Sequence, residues 1–246
     1  MKVVKETDLY IILDDVLSES EFELFREYTE TSEYARNPKW IKPWDLADQM
    51  PWQTGETVYT RGKQMRPDDP RRAYPTGLAI DLLFDRIVGT KYYRKHLPDT
   101  YVTARTYLHP PGSGLDWHDD GGRFQGAYTF YAHPRWHASW GGELLVVEND
   151  LGRRLLPDKK RMQDGKTETV KESWSVLYKD DLSEMLFDNV TSTEFVFPKP
   201  NRLVFLKGGL WHKICLVKPT AAFARCAVAG FFLTDQDPVN FWRQGS

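Results

Sequence analysis

Cysteine is scarce in this chain: 246 residues contain two, Cys215 and Cys226. Both lie in apolar runs, and nothing resembles the even, spaced set of a secreted disulfide scaffold, so a reducing compartment and a cytoplasmic location are expected. Long hydrophobic runs are missing too. No uninterrupted apolar stretch reaches the roughly 18 residues that a membrane helix requires. The opening "MKVVKETDLYIILDDV" is broken by charge within a few residues, so neither a membrane span nor an address signal is expected. Charge of one sign is not in excess, with 33 Lys+Arg against 35 Asp+Glu and a formal net charge of -2. Such a chain has no overall field to draw it onto nucleic acid or an anionic membrane, which leaves a small molecule or a locally docked partner. Internal repeats and low-complexity tracts are absent.

What is present is an ordinary globular composition, 41% hydrophobic, sufficient for one large domain over residues 1–246. "LYIILDDVLSESEFELFREYTE" reads as a strand from Leu9 to Leu13, then a helix with Ser18 as N-cap and Glu21 three residues on, the pattern of a capping box. Residues 33–69 are rich in Trp, Pro and Gly and read as an irregular segment whose Trp40, Trp44 and Trp52 supply core packing rather than a substrate wall. Apolar positions at helical spacing predict a second helix over Gly77–Val88. After Leu97 the chain turns to short β-rich runs, among them "TYVTARTYL", "GAYTFYA", "GGELLVVE", "NRLVFL" and "RCAVAGFFL", separated by turn residues; this is the signature of a sandwich or barrel. The expected organisation is a support region over 1–98 and a β core over 99–235, interrupted by a charged insertion at 151–195. The insertion's basic residues, Arg153, Arg154, Lys159, Lys160 and Arg161, are expected to form a solvated loop, with a mobile lid as the functional alternative and a helix in the insertion's later part.

The chemistry centres on "GLDWHDDGG", residues 114–122. If residues 116–120 finish a strand, Asp116, His118 and Asp120 share one face while Trp117 and Asp119 take the other. An imidazole and a carboxylate on one face make a two-point metal clamp, and Gly121 and Gly122 let the chain turn away. A third ligand must come from a distant strand. Of the six histidines, His212 fits best, since it follows a buried strand and a glycine turn; His133 and His137 flank Pro134 in a loop and are expected at the surface or behind the ligands. Downstream, "AFARCAVAGFF" places Arg225 alone in an apolar strand. Such a buried guanidinium demands an anion, because desolvating it unpaired costs several kcal/mol, and no carboxylate stands near it in sequence.

Together "YLHPPGSGLDWHDD", "GAYTFYAHP", "GGELLVVE", "PKPNRLVFLKGGLWHKI" and "ARCAVAGFF" resemble the Fe(II)/2-oxoglutarate dioxygenases, most closely the prolyl 4-hydroxylase-like branch, from about Tyr101 to Leu233. The opening "IILDDVLSESEF" resembles that branch's first strand and helix. The resemblance implies a mainly β, α+β fold: a double-stranded β-helix, or jelly-roll, core with N-terminal helices packed on one sheet. It implies His118, Asp120 and His212 as Fe(II) ligands and Arg225 holding the distal carboxylate of 2-oxoglutarate. Tyr107, eleven residues before His118, and Tyr131 fall where related enzymes place tyrosines against that same carboxylate. Three ligands leave positions for the keto acid and O2, with ascorbate as a helpful reductant. Related halogenases replace the ligand carboxylate with a small residue; Asp120 is retained, which points to hydroxylation or another C–H oxidation.

Asp119 is expected to point away from iron and pair with Arg123, and Asp116, Trp117 and Arg123 are candidates for the substrate mouth. From Gly142 to Pro198 the chain runs 56 positions, longer than the family's usual connection. The expected substrate is a small molecule, such as an amino acid or natural-product intermediate. A peptidyl-prolyl substrate is the alternative. A zinc-dependent hydrolase or a non-catalytic cupin-like binding module are rivals of another class, but neither needs a buried clamp for a dicarboxylate.

Overall fold

The computed structural model describes residues 1–36, 52–54, 58–59, 77–120, 124–148, 158–163, 166–171 and 180–234. Eight strands form the core. β6 (Tyr101–His109), β8 (Gly126–Tyr131), β13 (Leu203–Lys207) and β15 (Arg225–Leu233) build one sheet in the order β13-β8-β15-β6; β7 (Leu115–His118), β9 (Leu144–Val147), β12 (Thr193–Val196) and β14 (His212–Ile214) build the facing sheet in the order β12-β9-β14-β7. All pairings are antiparallel. Successive core strands from β6 alternate between the two sheets except at β9 and β12, which pair with each other in the smaller sheet, and this is the double-stranded β-helix the resemblance implied.

Period-two alternation sorts the side chains of the larger sheet. Ile11, Leu13, Val102, Phe130, Phe205, Cys226, Val228 and Phe232 face outward into a buried layer with the helices. Tyr10, Ile12, Tyr131, Val204, Leu206 and Ala227 face inward, where they meet Leu144, Val146 and Val196 of the smaller sheet. The outer layer is closed by α1 (Glu19–Thr31), α2 (Gly77–Val88) and α3 (Lys91–His96), which contribute Phe25, Ile80, Leu83, Ile87 and Tyr92. Each such side chain stabilises the fold by about 1.5–3 kcal/mol relative to exposure, and this layer anchors the sheet whose other face carries the site. The capping box of α1 is formed as the sequence indicates: the Glu21 N–H donates to Ser18 Oγ and the Ser18 N–H to Glu21 Oε2.

Several elements lie outside the sequence reading. The strand read from Leu9 to Leu13 is β2 (Tyr10–Asp14), but the strand before it that pairs with it, β1 (Lys2–Glu6), is not in that reading. The stretch read as irregular holds β3 (Tyr34–Arg36), β4 (Trp52–Thr54) and β5 (Val58–Tyr59), which extend the larger sheet beyond β6. Backbone pairing to an edge strand decides here, and a Trp-rich pattern does not reveal it. Trp52 is exposed rather than core; Trp40 and Trp44 lie outside the described residues. In the insertion, Lys159, Lys160 and Arg161 belong to a hairpin, β10 (Asp158–Gln163) with β11 (Lys166–Lys171), not to a loop; Arg153 and Arg154 lie outside the described residues. The expected later helix is α4 (Asp180–Asn189), whose Leu186 packs with Trp117, Val147 and Trp211 on the outer face of the smaller sheet.

Candidate active site

His118 and His212 meet because β7 and β14 set them directly opposite one another. Their ring centroids lie 4.1 Å apart. Asp120 joins from just beyond β7, with Oδ1 3.4 Å from His118 Nε2 and Oδ2 3.4 Å from His212 Nε2. All three donor atoms fall within 4.8 Å of one another, the only such group among the described residues. Each imidazole is pinned from behind: His118 Nδ1 donates to the Asp116 carbonyl at 2.6 Å and His212 Nδ1 to the Leu210 carbonyl at 2.8 Å. A carbonyl only accepts, so the proton sits on Nδ1 and the Nε2 lone pairs point into the cluster, the tautomer that a metal ligand needs. Burial, reinforced by His212, holds His118 well below the ordinary histidine value, and burial pushes Asp120 upward. Two buried imidazoles and a desolvated carboxylate are a donor set for a divalent cation.

The local geometry corrects the sequence reading in two respects. β7 ends at His118, and Asp120 reaches the cluster through a left-handed backbone (φ 59°), not as the next inward residue of a strand. Opposite β14, His118 pairs with His212 but Leu115 pairs with Ile214, so between these pairs two residues of β7, Asp116 and Trp117, match one of β14, Lys213. This bulge turns both Leu115 and His118 inward and sends the intervening Asp116 and Trp117 outward. Asp116 pairs there with Lys213 at 3.4 Å, and the Lys213 ammonium lies 5.5 Å from the centre of the Trp117 ring. These two side chains therefore cover the outer face beside α4; only the Asp116 carbonyl serves the site. Asp119 is buried, and Arg123 lies outside the described residues.

Deeper in the barrel, Arg225 is fully buried and none of its three guanidinium nitrogens has a hydrogen-bond partner among the described residues. Its Cζ lies 4.9 Å from the centre of the Tyr131 ring, and the Tyr131 hydroxyl is likewise buried without a partner. A cation in that state costs several kcal/mol. A charged ligand carboxylate satisfies both groups. Small residues surround the pair: Ala227 stands between Tyr131 and Tyr107 across three paired strands, and Gly142, at φ +72°, passes so close that a Cβ there would sit 2.8 Å from Arg225 Cδ. Tyr107 packs against Leu115 and Ile214, one step from Arg225 toward the histidine pair.

Residues 102–233, more than half of the chain, match the family model described as the 2OG-Fe(II) oxygenase superfamily. The chain belongs to this superfamily. All six residues just assembled fall inside the matched region, and Fe(II), 2-oxoglutarate and O2 are the cofactors that membership brings. No match is found among curated protein sequences. Among solved structures, the oxygenase is similar in fold to a prolyl hydroxylase from Trichoplax adhaerens in complex with a hypoxia inducible factor peptide fragment, with a TM-score of 0.54 and 11% identity over 93% of this chain and 84% of that one. It is similar also to SnoK, a non-heme alpha ketoglutarate dependent carbocyclase from nogalamycin biosynthesis, with a TM-score of 0.52 and 12% identity over 95% and 85% of the two chains. A Pseudomonas putida prolyl-4-hydroxylase aligns at a TM-score of 0.47 and 16% identity over 93% and 94%.

Sequence reasoning missed two residues of this oxygenase's inner wall. His109 lies directly across from Arg225 in the β6–β15 register, is buried, and is held well below the ordinary histidine value by burial and by Arg225. Arg105 lies two residues before Tyr107 on the same strand face. The signal was legible: in "YVTARTYLH" the odd positions Arg105, Tyr107 and His109 are polar while Val102, Ala104 and Leu108 are not. The sequence allows His133 either the surface or a place behind the ligands. It is buried, not at the surface, with Nδ1 3.1 Å from the Cys226 carbonyl and Nε2 2.7 Å from the Pro198 carbonyl, whereas His137 is exposed. Among the described residues, no helix is long and apolar enough to cross a membrane.

Proposed function

We propose that this oxygenase couples decarboxylation of 2-oxoglutarate to succinate and CO2 with hydroxylation, or a related C–H oxidation, of a small-molecule substrate. In this reading His118, Asp120 and His212 hold Fe(II), and Arg225 and Tyr131 hold the distal carboxylate of 2-oxoglutarate, with Tyr107 as a further donor. The observation that carries it is the buried, unpartnered Arg225 beside an equally unpartnered Tyr131 hydroxyl, in the same barrel as the convergent triad. The bound metal supplies dioxygen activation.

The chain's own residues supply placement. The carbonyls of Asp116 and Leu210 fix the two imidazoles. Asp120 adds one negative charge, so a divalent cation retains net positive charge for an incoming keto acid. Arg225 recognises the cosubstrate's tail through charge-assisted hydrogen bonds that its planar fork can make in pairs. The apolar collar of Leu144, Val146, Ala227 and Ile214 keeps water from the space between.

The small-molecule half of the proposal is supported by the wall opposite the triad, where Arg105 and Tyr107 offer charge and a hydroxyl suited to a compact polar substrate. A second reading, oxidation of a prolyl residue in a peptide, is favoured by the fold likeness to the Trichoplax adhaerens enzyme. Anaerobic addition of Fe(II) and 2-oxoglutarate is expected to give the visible charge-transfer absorption of the chelate, and its absence at saturation sinks the oxygenase mechanism. Substrate-stimulated succinate release, measured with free amino acids and with prolyl peptides, then separates the two substrate readings.

A further inference from the structure

We infer that Arg105 selects the substrate, its guanidinium holding a carboxylate or other anionic group of the molecule to be oxidised. This rests on the oxygenase reading above and names the substrate class that reading leaves open.

Register fixes where Arg105 stands. On β6 the inward residues are Arg105, Tyr107 and His109, paired across β15 with Ala229, Ala227 and Arg225. His109 and Arg225 form the deep row. Tyr107 forms the next, packed on Leu115 and Ile214 of the opposite sheet. One step from Leu115 and Ile214 in the same direction lie His118 and His212, so the next row of the larger sheet, Arg105, faces the metal ligands across the barrel. The two arginine rows are four residues apart along β6, about 13 Å at the usual strand rise. The cosubstrate stretches from Arg225 toward the metal, which leaves Arg105 beyond it, on the side that a second ligand must occupy.

The surroundings fit that role. Ala229 beside Arg105 and Thr129 beyond it are short, so on the β15 side of the row the two nearest side chains leave the guanidinium uncrowded. Arg105 is half-buried, and it is near enough to the Tyr107 phenol to oppose the upward shift that burial gives it; Asp120 acts on the same phenol in the other sense. A guanidinium has five N–H donors in a rigid fork that matches a carboxylate, and a partly desolvated site strengthens the contact.

The test uses the full chain with Mn(II) and 2-oxoglutarate under anaerobic conditions. Calorimetric binding is measured for free amino acids, L-proline among them, each beside its neutral C-terminal amide. The wild type is expected to bind at least one acid about tenfold more tightly than its amide, the size of a lost charge-assisted hydrogen bond. Arg105→Gln is expected to erase that preference, and Arg105→Lys to restore part of it, with the 2-oxoglutarate affinity unchanged in both. Equal binding of acids and amides by the wild type, or binding of no acid in the panel, overturns the assignment. So does an Arg105→Gln protein that loses 2-oxoglutarate instead, since this guanidinium would then serve the cosubstrate. Absence of the Fe(II)-2-oxoglutarate absorption in the wild type sinks the parent reading and is seen independently.

Discussion

Arg225 lies with its Cζ 4.9 Å from the Tyr131 ring centre, enclosed by the barrel, and neither its guanidinium nor the Tyr131 hydroxyl meets a partner among the described residues. Without cosubstrate this pair is a local instability. Replacing the charge by an apolar side chain of similar length, Arg225→Met, is therefore expected to stabilise the ligand-free protein by about 1–4 kcal/mol while abolishing 2-oxoglutarate binding. Urea denaturation with and without 2-oxoglutarate checks both halves: the wild type gains stability from the ligand and the variant does not. A variant less stable than the wild type, yet still stabilised by the ligand, contradicts the assignment.

Room is as necessary as charge. Gly142→Ala brings a Cβ to 2.8 Å from Arg225 Cδ and 3.3 Å from Val217 Cγ2 at a backbone φ of +72°. The expected outcome is a loss of about 1–3 kcal/mol of stability, from strain at positive φ and displacement of the arginine, together with weakened 2-oxoglutarate binding. Metal affinity, measured by Mn(II) titration, should stay near the wild-type value because the triad is not touched.

Ala227→Leu tests the same cavity from another side. It leaves every polar group of the pocket in place and fills the gap between Tyr107 and Tyr131. The Fe(II) site should load normally while the charge-transfer absorption with 2-oxoglutarate disappears. A full-strength absorption in this variant would place the cosubstrate elsewhere.

The triad should act as a unit. His118→Ala, Asp120→Ala and His212→Ala are each expected to weaken metal binding by about tenfold or more and to remove the thermal stabilisation that Mn(II) confers on the wild type. Chelation of the wild type should reproduce the same loss, reversibly.

The pH dependence of stability has a definite sign at His133. Burial lowers its pKa from the ordinary 6.5 to about 4, so between those values the unfolded chain binds a proton that the folded chain refuses. Stability is therefore lost as pH falls through this window, by about 3 kcal/mol at most for this group. His133→Gln should show a shallower decline than the wild type in urea titrations from pH 6.5 to 4.5. Parallel curves would remove His133 from the account.

Much of this architecture was legible in the residues. The capping box at Ser18 and Glu21, the period-two strands after Leu97, and the order of His118, Asp120, His212 and Arg225 each state a local requirement that the fold meets. Other features were not legible because they depend on partners distant in sequence. β3, β4 and β5 exist through pairing with one another and with β6, and β10–β11 is a hairpin in a stretch whose charge content reads as loop. The face of Asp116 could not be read by alternation, because a bulge is defined only against the strand opposite. That His133 is interior rather than at the surface was not legible, since the carbonyls beside its two ring nitrogens, those of Pro198 and Cys226, are 65 and 93 residues away.

The two-against-one bulge of β7 on β14 has a consequence for how the metal centre can fail. Strand phase ahead of the bulge is fixed by Leu115 and its apolar neighbours, and phase behind it by His118. Were the same residues to pair without the bulge, Leu115 would keep its contacts while Trp117 took the place opposite His212 and the His118 imidazole turned toward α4, disarming the enzyme with every ligand still encoded.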